Sequence, residues 1–88
     1  MMPDLPINLQ VYPNPSTRYA TIQVGFSGEA PVIIRVFDAT GRLVIEEESL
    51  QSNSYKRQID MELLSNGIYQ VQVQVGHYIL TKRLIKQN

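Results

Sequence analysis

The sequence predicts an all-β domain of antiparallel strands, and three observations support this. Residues 68 to 75 alternate between a valine and tyrosine side and a mainly glutamine side, which is the pattern of a strand with one buried face. Runs rich in Val, Ile, Tyr and Thr recur along the chain, separated at short intervals by turn-forming residues. Only Met61–Leu64 has the composition of a helical turn, with Asp60 as its cap. A fold without a long helix follows.

Seven strands are predicted in chain order. They cover residues 7–12, 19–26, 31–38, 42–48, 54–60, 67–75 and 78–86. In the second strand Ala20, Ile22, Val24 and Phe26 point inward, and the third is apolar enough to be central. Seven short strands in a chain of 88 residues favour a seven-stranded antiparallel β-sandwich of the immunoglobulin-like type.

The connections between strands have turn chemistry of their own. Asp38–Gly41 fits a hairpin built on a type I turn, with Gly41 supplying the positive φ that follows it. Further turns are predicted at Ser65–Gly67 and Ser52–Ser54. Gly76-His77 is a two-residue break of the kind that closes a tight hairpin.

The composition argues against several classes of function. Eight basic and eight acidic residues leave no net charge, so no bias toward nucleic acid or an anionic membrane is present. The chain has no cysteine and therefore no disulfide framework. No run approaches the ~20 apolar residues of a membrane helix, and Met1–Gln10 has no features of a signal peptide. Residues 1–8 are predicted to be the remnant of a linker, ahead of one domain over residues 9–88.

Catalytic and metal-binding patterns are not recognisable in the sequence. The single histidine, His77, falls in a predicted hairpin tip without zinc-site spacing. Glu46–Glu48 form an acidic run, but calcium needs six to eight oxygens converging in one loop. No phosphate loop, nucleophile elbow or carboxylate pair is present. We therefore predict a protein that is not an enzyme and uses no cofactor or metal.

Four motifs resemble those of one known family. They are Val11-Tyr12-Pro13-Asn14-Pro15, the turn Asp38-Ala39-Thr40-Gly41-Arg42 between two apolar strands, Leu64-Ser65-Asn66-Gly67-Ile68-Tyr69-Gln70-Val71, and Lys82-Arg83-Leu84-Ile85-Lys86. In this order and spacing they are similar to the C-terminal sorting domain of cargo proteins of the type IX (Por) secretion system. The resemblance covers about Leu9 to Gln87.

The resemblance implies a non-catalytic tail of a larger exported protein. An outer-membrane translocon and its shuttle protein would recognise the tail and deliver the cargo to the cell surface or the medium. A sortase-like peptidase would then remove the domain and anchor the cargo, cutting in a linker upstream of Val11. Neither the cargo nor the receptor is specified by this sequence.

The resemblance also assigns residues by position. Its recognition residues fall on Gly67, Tyr69, Lys82, Arg83 and Lys86. Its structural motif falls on Tyr12, Pro13, Asn14, Pro15, Asp38 and Gly41.

Simpler roles exist for the same residues. The two glycines fit turns, and Tyr69 fits a core position with a hydroxyl that reaches a partner. Lys82 and Lys86 fit an exposed edge strand, where lysine discourages aggregation.

Two other functions fit the composition. An immunoglobulin-like accessory module that binds polysaccharide or protein predicts a patch of exposed aromatic side chains, for which Tyr19, Tyr55 and Tyr78 are candidates. An inert spacer predicts that truncating the C-terminus costs only stability.

Overall fold

The computed structural model describes residues 7–88 and shows an all-β protein with antiparallel strands, as predicted. Most of the predicted linker, residues 1–6, lies outside the described part. The five strands in chain order are β1 (Asn8–Tyr12), β2 (Tyr19–Phe37), β3 (Leu43–Asp60), β4 (Gly67–Val75) and β5 (Tyr78–Lys86).

The long strand β2 organises the sheet. One of its edges pairs with β3 from Tyr19 to Phe37. Its other edge pairs with β1 through residues 21–25 and with β4 through residues 32–37. The last strand, β5, pairs with the far side of β4. All five strands therefore form one sheet.

The prediction of seven strands in a sandwich was wrong in the number of strands. The segments 19–26 and 31–38 are two halves of β2, and 42–48 and 54–60 lie in β3. The turn predicted at Ser52–Ser54 and the break between the two predicted strands of β2 lie at one irregularity, where the β2–β3 register shifts between Gly25 and Glu29. Gly28 and Asn53 both have positive φ there, 87° and 67°, and the amide of Gly28 donates to Oδ1 of Asn53 at 3.3 Å. Two residues that tolerate the left-handed region let the hairpin bend without ending either strand.

The bend curls the sheet into a half-barrel around one core. The predicted alternation is confirmed on both β2 and β4. The buried residues of these strands are Ala20, Ile22, Val24, Phe26, Val32, Ile34, Val36, Tyr69, Val71, Val73 and Val75. Residues from both halves of β2 belong to one apolar cluster, so each half covers the buried face of the other.

Two contacts hold the curled sheet together. On one side β1 touches β5, although neither pairs with the other. On the β3 side the guanidinium of Arg57 binds the carboxylate of Glu47, with Nε to Oε1 at 2.6 Å and Nη2 to Oε2 at 2.9 Å. These residues lie in opposite halves of β3, so the ion pair spans the bend.

The turns predicted at Asp38–Gly41 and Gly76-His77 are present, whereas the turn predicted at Ser65–Gly67 is only a bend at Asn66, because Gly67 already begins β4. Gly41 has φ 88°, and its amide donates to the carbonyl of Asp38 at 2.9 Å. Gly76, with φ 58°, begins the two-residue connection from β4 to β5. His77 is exposed at the tip of that hairpin. Met61–Leu64 forms a turn and not a helix, and Asp60 Oδ1 accepts from the amide of Glu62 at 3.0 Å.

Candidate recognition site at the C-terminal strand

The end of β5 is fastened by the proline-rich segment that follows β1. The side-chain amide of Asn14 donates to the carbonyl of Arg83 at 2.8 Å and accepts from the amide of Ile85 at 2.9 Å. A peptide group of a neighbouring strand would make the same two bonds. Because Pro13 and Pro15 have no N–H, the Asn14 side chain supplies the pairing that their backbone cannot. Both peptide bonds preceding these prolines are cis.

Ser16 continues the same attachment through its backbone. Its amide donates to the carbonyl of Ile85 at 2.8 Å, and its carbonyl accepts from the amide of Gln87 at 2.9 Å. Its hydroxyl donates to the carbonyl of Pro13. The residue is fully buried, and these bonds satisfy its polar groups. Asn14 and Ser16 therefore bond the end of β5 to the segment that follows β1.

Lys86 is buried, with only 4% of its surface exposed. Its ammonium donates to the carbonyl oxygens of Leu64 at 2.6 Å and Glu62 at 3.4 Å. The expectation that Lys86 lies on an exposed edge was therefore wrong. It shares the inward face of β5 with Leu84, two residues earlier, and its long side chain reaches the turn before β4. Lys86 joins the last strand to that turn.

Tyr69 and Gly67 belong to the turn that Lys86 holds. Tyr69 is buried, as predicted, and its hydroxyl donates to the carbonyl of Ser65 at 2.6 Å. Such a bond from a core tyrosine to the backbone a few residues upstream fixes the corner where a strand begins. Gly67, the first residue of β4, is exposed.

A group of charged side chains lies next to this turn. The guanidinium of Arg18 binds Asp60 through two bonds of 3.1 Å and Glu62 at 2.9 Å. The bond from Arg18 lowers the pKa of the Asp60 carboxyl most, and the Glu62 amide and the charge of Lys86 lower it further. Arg18 was not among the residues predicted from the sequence. Arg18 reaches Asp60 because the β2–β3 register pairs the next residue, Tyr19, with Asp60, and no local pattern specifies that register.

Asp38 and Gly41 build the hairpin between β2 and β3. Oδ1 of Asp38 accepts from the Thr40 amide at 2.9 Å, the Thr40 hydroxyl at 2.6 Å and the Arg42 amide at 3.0 Å. These bonds, with the Thr40 hydroxyl first, lower the pKa of the Asp38 carboxyl. The carboxylate fills the role of a turn cap, and the positive φ of Gly41 closes the turn.

Lys82 and Arg83 differ from Lys86 because both are exposed. Neither forms an ion pair with another residue of the described range 7–88. With Tyr12 and Asn14 they line a groove of about 440 Å³ between β1 and β5, whose floor includes Leu9 and Val11. We call this the β1–β5 groove. It brings the free cations of the last motif beside the first motif.

Tyr12 lies at the edge of that groove. It is 39% exposed, and its hydroxyl donates to Oε1 of Gln23 on β2 at 2.9 Å. The bond fixes the side chain at the end of β1, where the chain leaves for Pro13. The hydrogen bond therefore fixes the aromatic ring of Tyr12 where it lines the groove.

The aromatic residues expected of a glycan-binding module do not form one surface. Tyr55 packs against the core cluster. Tyr19, exposed and below the guanidinium of Arg18 at 4.8 Å from its ring centre, lies five positions along β2 from the residue that pairs with Tyr55. Tyr78 begins β5. No group of metal-ligating side chains occurs within residues 7–88, and no helix in that range is long and apolar enough to cross a membrane.

Comparison with known proteins supplies the family. No curated protein matches the chain. The sequence profile described as "Secretion system C-terminal sorting domain" matches residues 10–87, which is nearly the whole chain and includes all four motifs. The chain therefore belongs to the C-terminal sorting domains of the type IX (Por) secretion system.

Proposed function

We propose that this domain is the address by which a type IX secretion system exports an upstream cargo across the outer membrane. In this proposal a translocon and its shuttle protein bind the folded domain. A sortase-like peptidase then cuts upstream of Val11 and leaves the cargo at the cell surface. The domain itself carries out no reaction. Family membership supports the sorting role, and the geometry of β5 supports the surface that is recognised.

The observation that carries the proposal is the β1–β5 groove. The assigned recognition residues divide into two groups by burial. Tyr69 and Lys86 are buried and bonded to carbonyl oxygens, so a rigid partner has no access to their polar atoms. Lys82 and Arg83 are exposed at the groove. We assign contact with the partner to the exposed group and positioning to the buried group.

The chemistry of the groove defines the partner. Two cations without a counter-ion among residues 7–88 attract an acidic segment. The groove lies between two strands that do not pair with each other within the described range. Asn14 and Ser16 already bond the end of β5, so an extended chain would bond the outer edge of β1 and meet Lys82 and Arg83 through their side chains. We propose that the translocon or shuttle inserts an extended acidic segment here. Gly67 begins β4 opposite Lys86 and does not line the groove, so we assign it, like Lys86, to the positioning group.

The test is surface delivery of a reporter. Residues 1–88 are fused behind a signal peptide and a reporter in a bacterium that has a type IX system. We expect the double variant Lys82→Gln/Arg83→Gln to lose most surface delivery while its melting temperature stays within a few degrees of the parent. The control is Arg42→Gln, which removes an exposed cation whose only ion pair in the described residues is with Asp38. Full delivery by the double variant would refute the assignment of the groove.

A second variant separates the sorting role from the choice of surface. Deletion of Leu80–Asn88 removes all of β5 except Tyr78 and Ile79. Surface delivery that survives this deletion would refute the sorting function itself. If the deletion abolishes delivery but Lys82→Gln/Arg83→Gln does not, only the assignment of the groove is refuted.

A further inference from the structure

The outer edge of β3 is the longest free edge of the sheet. β3 has 18 residues and pairs with β2 on one side along almost its whole length. No strand within residues 7–88 pairs with its other side. A free edge exposes a row of backbone N–H and C=O groups that can bond another strand.

Charge is divided unequally along this edge. The first half of β3 carries Glu46, Glu47 and Glu48, and the second half carries Lys56 and Arg57, with Asp60 at its end. Glu46 binds Arg35 on β2 at 2.8 Å, and Glu47 binds Arg57. Glu48 and Lys56 are exposed and form no ion pair within the described range. Glu48, a negative charge without an ion pair in the described residues, therefore lies on one side of the bend, and Lys56, a positive one, lies on the other.

The register of β3 on β2 shows which face each charge occupies. Glu47 and Arg57 are opposite the buried residues Ile34 and Ile22, so they lie on the inward face. Glu48 and Lys56 are opposite Ile33 and Gln23 and lie on the outward face. In an antiparallel pair, directly opposed residues share a face.

We propose that two copies of this chain associate through their β3 edges, antiparallel and centred on Ser52. This register places Glu48 of one copy opposite Lys56 of the second copy, and Glu47 opposite Arg57. Each opposed pair has opposite charges and lies on one face. A parallel arrangement would place the acidic runs of the two copies against each other, so the charges select the antiparallel arrangement.

The bend of β3 is compatible with this pairing. A two-fold axis along the sheet normal, between the Ser52 residues of the two copies, maps the β3 edge of one copy onto that of the other. Both copies therefore bend toward the same face of the joined sheet. A single pair of edge strands is a small interface, which is typical of weak association. The pairing uses the edge opposite the β1–β5 groove and leaves that groove open.

Sedimentation of the full 88-residue chain at increasing concentration tests the proposal. We expect a reversible monomer–dimer equilibrium that shifts toward monomer as salt is raised. Glu48→Lys and Lys56→Glu alone should each weaken dimerisation at least tenfold, because each creates two like-charged pairs. An equimolar mixture of the two variants should dimerise, since every opposed pair then has opposite charges. Lys82→Glu is the matched control, as it makes the same charge change on β5 and should leave the dimer unchanged.

Two results would overturn the proposal. One is a chain that stays monomeric at every concentration up to the limit of solubility. The other is a dimer on which the Glu48 and Lys56 variants have the same effect as Lys82→Glu, or whose two variants do not recover association when mixed. The double variant Glu48→Lys/Lys56→Glu in one chain should dimerise like the parent, which distinguishes lost pairing from lost folding.

Discussion

The outer edges of β5 and β3 differ in how their backbone groups are bonded. At the end of β5, the Asn14 amide and the Ser16 backbone occupy the edge groups, and Lys86 anchors the strand from the inside. Along β3, no strand of residues 7–88 pairs with the outer edge, which carries charges. The difference shows that the C-terminus is a built part of the fold, although chain ends normally fray. A tail that must be recognised needs a fixed shape, and the first motif provides it.

The largest difference between the edges should appear in their apolar residues. Leu84 on β5 is fully buried, whereas Leu50 on β3 is 64% exposed. We expect Leu84→Ala to lower the free energy of unfolding by about 2–5 kcal/mol, from lost burial and the cavity left behind. Leu50→Ala should change it by less than about 0.5 kcal/mol. Urea unfolding measures both, and equal losses would contradict the contrast between a fastened edge and a free one.

The buried lysine gives the next largest effect. Lys86→Met keeps most of the side-chain volume but removes the ammonium that bonds Leu64 and Glu62. The carbonyl of Leu64 loses its partner, and we expect a loss of about 1–3 kcal/mol in the free energy of unfolding. Lys56→Met on the β3 edge is the control and should be nearly neutral. A neutral Lys86→Met would mean that the ammonium does not hold the turn.

Asn14 tests the attachment from the other side. Asn14→Ala removes both bonds to the backbone of β5, and because the site is exposed, we expect about 1 kcal/mol of destabilisation. Amide exchange of Ile85 should accelerate in this variant more than that of residues in the middle of β4. Asn66→Ala is the matched control, since Asn66 is an exposed turn residue. An unchanged exchange rate at Ile85 would show that Asn14 does not fasten the strand.

Acid should lower the free energy of unfolding by less than the substitutions above, through the carboxyls of Asp60 and Glu47. Arg18 lowers the pKa of Asp60 at the end of β3, near Lys86, and Arg57 lowers the pKa of Glu47 in the first half of β3. Each carboxyl therefore contributes stability above its unfolded pKa of about 4, and this contribution is lost as the pH falls through the lower folded value. Urea unfolding between pH 6 and about pH 2 should show decreasing stability below about pH 4. Asp60→Asn should make this dependence shallower, and an identical slope would exclude Asp60 as a contributor.

Much of the fold follows from short-range pattern. The alternation of β4, the inward face of β2 and the Asp38–Gly41 turn were all predictable, because each depends on neighbouring residues and backbone chemistry. The continuity of β2 and β3 was not, because Gly28 and Asn53 are turn-forming residues that here bend a paired hairpin without ending it.

The roles within the site were harder to predict for a related reason. Lys86 looks exposed by residue type, and only the position of the turn at residues 62–64 makes it a buried donor. Asn14 and Ser16 act across about seventy residues of sequence. Such contacts depend on register and curl, which local sequence does not specify.

We propose that the buried Lys86 positions β5, whereas the exposed Lys82 and Arg83 contact the secretion machinery. The most direct measurement compares surface delivery of reporter fusions to Lys86→Met and to Lys82→Gln/Arg83→Gln with the folded fraction of each variant across temperature. We expect delivery by Lys86→Met to follow its folded fraction and to recover at temperatures where the variant is folded. The double variant should fail to deliver while fully folded. If Lys86→Met is folded but not delivered and the double variant is delivered normally, the roles assigned to Lys86 and to Lys82 with Arg83 are wrong.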